Sequence, residues 1–185
     1  MKKTVLTFGL ISGAVSAGTM LAVLPFVDSI GFKKGDILGY TTIVLSALLI
    51  FFGIRSFRDN NGGSLTFGRG FAVGILITLI SSACYVATWE LIYYKLQPGF
   101  ADKYAASMVE RAREAGASQE KIDQKIREAR DFKQMYDKPL NNIGLTFMEV
   151  FPIGLLVTLI SAGILRRGPR EGAYPLEAKG VAGRT

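Results

Sequence analysis

The sequence predicts an all-α polytopic membrane protein: four transmembrane helices, with an extramembrane helical hairpin between the third and the fourth. Three observations predict it. Four apolar stretches, at residues 5–27, 37–54, 71–94 and 143–165, interrupt the 185-residue chain. Each matches the ~20 residues that a helix needs to cross a hydrocarbon core. The composition, 49% hydrophobic and 20% charged, is close to that of a soluble domain, so the blockwise distribution decides. Finally, the long segment between the last two stretches is polar, yet it repeats apolar residues at helical spacing.

The first stretch is rich in small residues. Gly9, Gly13 and Ala17 recur every four positions and so share a helix face. Lipid tails solvate leucine as well as another helix does, so helices in a bilayer associate where small residues let backbones approach. This stripe is a predicted packing face. Lys2-Lys3 followed by Val15-Ser16-Ala17 also suits a cleaved signal peptide, but the apolar run continues through Leu21, Leu24 and Phe26, which favours a span. Pro25 is placed to kink or end this helix.

Residues 28–36, with Gly31 and Gly35, read as a short turn that makes the first two helices antiparallel neighbours. The second helix ends in Phe52-Gly53-Ile54-Arg55-Ser56-Phe57-Arg58-Asp59, where Arg55 and Arg58 reach for headgroups. Asn60-Asn61-Gly62-Gly63 is a turn by composition, and Ser64 or Thr66 is a capping residue for the third helix. Arg69 anchors that helix at one end. Tyr85, Trp89, Tyr93 and Tyr94 form an interfacial aromatic belt at the other, with Trp89 as an anchor.

Residues 96–141 form the predicted hairpin. Phe100, Tyr104, Met108 and Ala112 repeat every four positions; Gly116 breaks the run; Ser118 is a candidate cap; Ile122, Ile126, Ala129 and Tyr136 resume the pattern. The two apolar stripes are expected to pack on each other. The fourth helix ends at the anchors Arg166 and Arg167. Residues 1–167 are thus the membrane domain, and residues 168–185, rich in Gly, Pro and Ala, are an expected disordered cytoplasmic tail.

The net charge is +7. The N-terminus, the segment around residues 55–69 and the C-terminus together hold ten bases (Lys2 and Arg58 among them) against three acids, Asp59, Glu171 and Glu177, and so carry the whole excess. Four crossings put these segments on one side. The positive-inside rule makes that side the cytoplasm, with both termini in it and the bilayer as partner. Bases at membrane boundaries meet anionic lipid, so no nucleic-acid partner is expected. There is no His, which removes His-based triads, His-ligated zinc and His proton relays. The one cysteine, Cys84, reads as a small buried hydrophobe. The sequence therefore predicts no enzyme, no cofactor and no metal.

An internal echo links the last two helices. Leu65-Thr66-Phe67, Phe71, Gly74, Leu76, Thr78 and Ser81 match Leu145-Thr146-Phe147, Phe151, Gly154, Leu156, Thr158 and Ser161 without a gap. In each helix Gly, Thr and Ser fall on one face. Packing is the favoured reading, ahead of a pseudo-symmetric transport pathway. Glu149 and Glu90 are the acids out of place in lipid, expected near one depth, and form a candidate ion or proton site.

Leu38-Gly39-Tyr40-Thr41-Thr42, the run 52–59, Gly62-Gly63, Phe67-Gly68-Arg69-Gly70-Phe71, Trp89-Glu90 and residues 152–161 together resemble a bacterial membrane family known only as domain of unknown function 4199. The resemblance covers nearly all of the chain except its tail. It implies an integral membrane protein with four helices and carries over no catalytic residue. The leading functional expectation is a non-enzymatic inner-membrane scaffold or accessory subunit, acting as a homo-oligomer or beside a membrane-protein partner. The alternative is a small transporter or ion pathway through Glu149 and Glu90. A polar cavity reaching Glu149 separates the two.

Overall fold

The computed structural model describes residues 1–168, apart from the side chains of Val27, Asp28, Phe32 and Lys33. Its helices are α1 (Lys2–Val23), α2 (Val27–Ile30), α3 (Phe32–Asp59), α4 (Phe67–Leu91), α5 (Phe100–Glu114), α6 (Gln119–Tyr136) and α7 (Pro139–Leu165), and there is no strand among the described residues. Four of them, α1, α3, α4 and α7, are long and apolar enough to cross a membrane. The expectation of a disordered tail falls on residues that, from 169 onward, lie outside the described ones.

Each of the four long helices starts three to five residues before its apolar stretch. The expected turn at 28–36 is mostly helical: α2 takes Val27–Ile30, the chain breaks at Gly31 (φ 75°), and α3 starts at Phe32. Hydropathy marks where a helix meets oil, while the helix itself runs on into polar residues. Thr66 caps α4, its hydroxyl accepting from the Arg69 amide at 3.4 Å. Pro25 sits in a 3₁₀ turn, Leu24–Phe26, that closes α1. Gly116 (φ 66°) ends α5 in a Schellman motif: Ala117 N–H donates to Ala112 O and Gly116 N–H to Arg113 O. Ser118 precedes α6 without a capping hydrogen bond from its side chain.

The four long helices form a bundle in which α4 packs most extensively on α7 and α1, and α3 on α1 and α7. Small residues set the contacts. A Cβ on Gly9 would lie 2.9 Å from Ile80, and one on Gly13 2.6 Å from Cys84 Cβ, so α1 and α4 run parallel at close approach. Ala17, next on that stripe, is partly buried. Ser12 donates to the Ser46 carbonyl across α1 and α3 at 3.0 Å. Burial is inverted relative to a water-soluble core. Ser12, Ser16, Ser46, Ser82 and Thr158 are buried, whereas Leu45, Leu156 and Ile164 are 58%, 58% and 69% exposed.

One end of the bundle is dry. Ile50, Ile54, Phe57, Val73, Ile77 and Leu165 pack there as a continuous apolar cluster. An antiparallel bridge ties the chain before α4 to the chain after α7, with Leu65 N–H to Arg167 O and Arg167 N–H to Leu65 O both 2.9 Å. At the other end the long helices diverge, and α5 and α6 lie across them.

Candidate functional site

The echoing residues meet face to face. A Cβ on Gly74 would lie 2.6 Å from Thr158 Cγ2, and one on Gly154 2.5 Å from Thr78 Cγ2. At the crossing the Thr78 and Thr158 hydroxyls are 3.1 Å apart. The single Thr78 proton goes to the Gly74 carbonyl at 3.0 Å, so the Thr158 hydroxyl is the donor of the pair. Ser161 is buried, and Ser81 donates to the Thr78 carbonyl at 3.1 Å. The repeated motif thus builds an antiparallel crossing. A small crevice beside it, about 20 Å³ and lined by Ser12, Ser16, Ser46, Thr78, Ser82 and Tyr85, has room for one water.

Above that crossing lies a chamber of about 740 Å³. Three local features open it. α1 ends in the Pro25 turn, α4 widens into a π-helical turn over Ile92–Leu96, and α3 presents Gly35 and Gly39 toward it. A Cβ on either glycine meets nothing within 4 Å. The roof is an aromatic ladder from α4 through α5 to α6. Trp89 meets Phe100 edge-on at 4.9 Å, Phe100 stacks on Tyr104 at 5.9 Å, Tyr104 lies 5.0 Å from Phe132, and Phe132 lies 4.3 Å from Tyr136. α5 and α6 pack on each other where Ala101 and Ala129 are buried, and Lys133 pairs with Asp102 at 2.7 Å. The Arg111 guanidinium, 5.9 Å from the centre of the Tyr104 ring, reaches Asp36 of α3 at 3.5 Å. Burial, then the Glu149 carboxylate, pushes the Tyr136 phenol up to about 12. Burial and Asp36 push Tyr104 in the same direction, with Arg111 opposing.

Glu149 lines this chamber; Glu90 is not among its lining residues. The second acid in the wall is Asp36. The expected pairing of Glu149 with Glu90 is therefore replaced by Glu149 with Asp36. Glu90 is outside that lining, and its buried Oε1 has no hydrogen-bond partner among the described residues. Glu149 lies nearly three turns into α7, which starts at Pro139. Pro152 lacks the N–H that would bond the Met148 carbonyl, and Met148 also lines the chamber. Trp89, expected in a lipid-facing belt, turns inward: its indole N–H donates to Asn142 Oδ1 at 3.0 Å, and the ring lines the chamber. Asn142 is fully buried and also accepts from Thr146 at 3.2 Å.

The other predicted anchors cluster at the dry end. Arg58 holds Asp59 at 2.7 Å, Arg55 lies 3.8 Å from the same carboxylate, and Arg69 sits 5.6 Å from the centre of the Phe57 ring. Arg166 and Arg167 are exposed beyond α7. Asp36 and Tyr40 of α3 and Tyr136 of α6 were missed as site residues because the chamber they line is assembled from elements far apart in the sequence. The signal that pointed to Asp36 was its place on the Gly35–Gly39 face, legible once residues 32–36 are read as helix.

Neither the curated proteins nor the solved structures contain a match to this chain. A family does match: residues 7–167, which take in all four long helices and the α5–α6 insertion, fit the family described as Protein of unknown function (DUF4199), and the chain belongs to it.

Proposed function

We propose that this chain is a non-enzymatic integral membrane protein that holds a small molecule with an apolar body in the chamber beneath α5 and α6. The protein sits in the inner membrane, both termini are cytoplasmic, and the α5–α6 hairpin lies on the opposite side. Four helices of spanning length support the membrane reading, as do apolar side chains facing outward around buried hydroxyls. The bases gathered at the dry end support the orientation.

The observation that carries the binding reading is the chamber itself. Its volume, about 740 Å³, falls inside the ~300–1,000 Å³ of ligand sites, and like them it combines apolar walls with a few polar groups. A scaffold requires an exposed face and has no use for a hollow, so binding stands ahead of the scaffold or accessory role. The apolar cluster packed at the dry end argues against an open ion channel.

Trp89 is the chain's one tryptophan and lines the chamber, so it reports occupancy. Protein in lipid nanodiscs is titrated with amphiphiles that share a bromo-octyl tail and carry a glucoside, trimethylammonium or sulfate headgroup. Bromine quenches indole on contact. The expected result is saturable quenching by at least one headgroup, lost in Gly39→Phe, whose ring enters the open wall of the chamber. Quenching that rises without saturation in both proteins, for every headgroup, overturns the reading.

A further inference from the structure

The charges of the chamber say more than its size. Among the described residues its lining includes two carboxylates, Asp36 and Glu149, and no Lys or Arg. Asp36 is already matched by Arg111 at 3.5 Å. Glu149 is partly buried, and among the described residues no base pairs with it. Among the described residues the balance is one uncompensated negative charge in a largely apolar wall, where an unpaired ion is costly. Around it stand aromatic faces. Tyr40, Tyr85, Trp89, Tyr104 and Tyr136 line the same chamber.

We propose that the occupant of this chamber is an organic cation and that Glu149 is its counter-ion. This rests on the ligand-binding reading above and adds the charge class. Three alternatives fit less well. A bare divalent metal needs about six oxygen ligands, and no group of three His, Cys, Asp or Glu positioned to hold one occurs among the described residues. A lone proton on Glu149 leaves the aromatic walls and the volume without a role. An anionic amphiphile would place like charges together in a low-dielectric site. An ammonium or similar cation on an apolar body uses every part: the carboxylate neutralises it, tyrosine and tryptophan faces attract it through their quadrupoles, and the remaining volume takes the body. Gly35 and Gly39 leave the wall open beside Asp36, where an alkyl group meets no side chain of α3.

The three bromo-octyl probes test this, since tail and reporter are constant and the headgroup alone changes. Wild-type protein is expected to bind the trimethylammonium probe about tenfold more tightly than the glucoside, equivalent to ~1.4 kcal/mol, and the sulfate least. Glu149→Gln is expected to erase that order by weakening the ammonium probe and leaving the glucoside unchanged. Glu149→Asp keeps the charge and is expected to keep the order, which separates a counter-ion from a purely structural carboxylate. Sulfate or glucoside binding as tight as ammonium in the wild type, or an order unchanged in Glu149→Gln, overturns the cation assignment while leaving the binding reading standing. Absence of saturable quenching by any probe removes both.

Discussion

At the scale of single residues, the molecule turns on two glycines and two threonines. Gly74 receives the Thr158 methyl and Gly154 the Thr78 methyl, each so close that an added Cβ would overlap it at 2.6 and 2.5 Å. Both threonine Cγ2 atoms sit at buried positions, so the backbones must part to relieve the overlap. Gly154→Ala and Gly74→Ala are each expected to lower unfolding stability by ~1–3 kcal/mol, the usual cost of overpacking. Gly163→Ala, on the same helix as Gly154 but with nothing within 4 Å of its Cβ, is the control: it is expected to be neutral or to stabilise by up to ~1 kcal/mol through helix propensity. Unfolding in mixed micelles checks all three. The gapless repeat identified these residues from sequence alone, because small residues at fixed spacing have few other uses in an apolar helix. Their partners across the crossing were not legible, since the repeat states a face and not what meets it.

Among the elements, the α5–α6 pair is joined to the bundle largely through side chains. It meets the bundle through the aromatic ladder and through Arg111 to Asp36, a contact whose side chains are both more than a third exposed. Such a pair is worth no more than ~1 kcal/mol. Arg111→Ala is therefore expected to leave global stability almost unchanged while speeding hydrogen exchange along α5 and α6, with exchange in the buried turns of α4 and α7 unaltered. Equal acceleration in all four helices would show that the contact holds the whole bundle together. Sequence patterns gave the existence of both helices and the Gly116 stop, because amphipathic periodicity and a left-handed glycine are local signals. The roof they make was not legible: Trp89, Phe100, Tyr104, Phe132 and Tyr136 come from three helices, and nothing local distinguishes a ring that faces lipid from one that faces a cavity.

For the whole molecule, the proposed topology is tested directly. Reporters fused at the two ends are expected to give cytoplasmic signals, and one inserted at the α5–α6 turn near Gly116 the opposite signal. Opposite signals from the two termini would rule out four crossings, and non-cytoplasmic signals from both would put the chamber on the cytoplasmic side. The bundle is asymmetric, dry where Leu65 pairs with Arg167 and hollow beside Leu24 and Gly31. With the segments before α4 and after α7 tied by two backbone hydrogen bonds, that end is clasped like the handle of a pair of tongs, so any accommodation of the proposed guest falls to the opposite end.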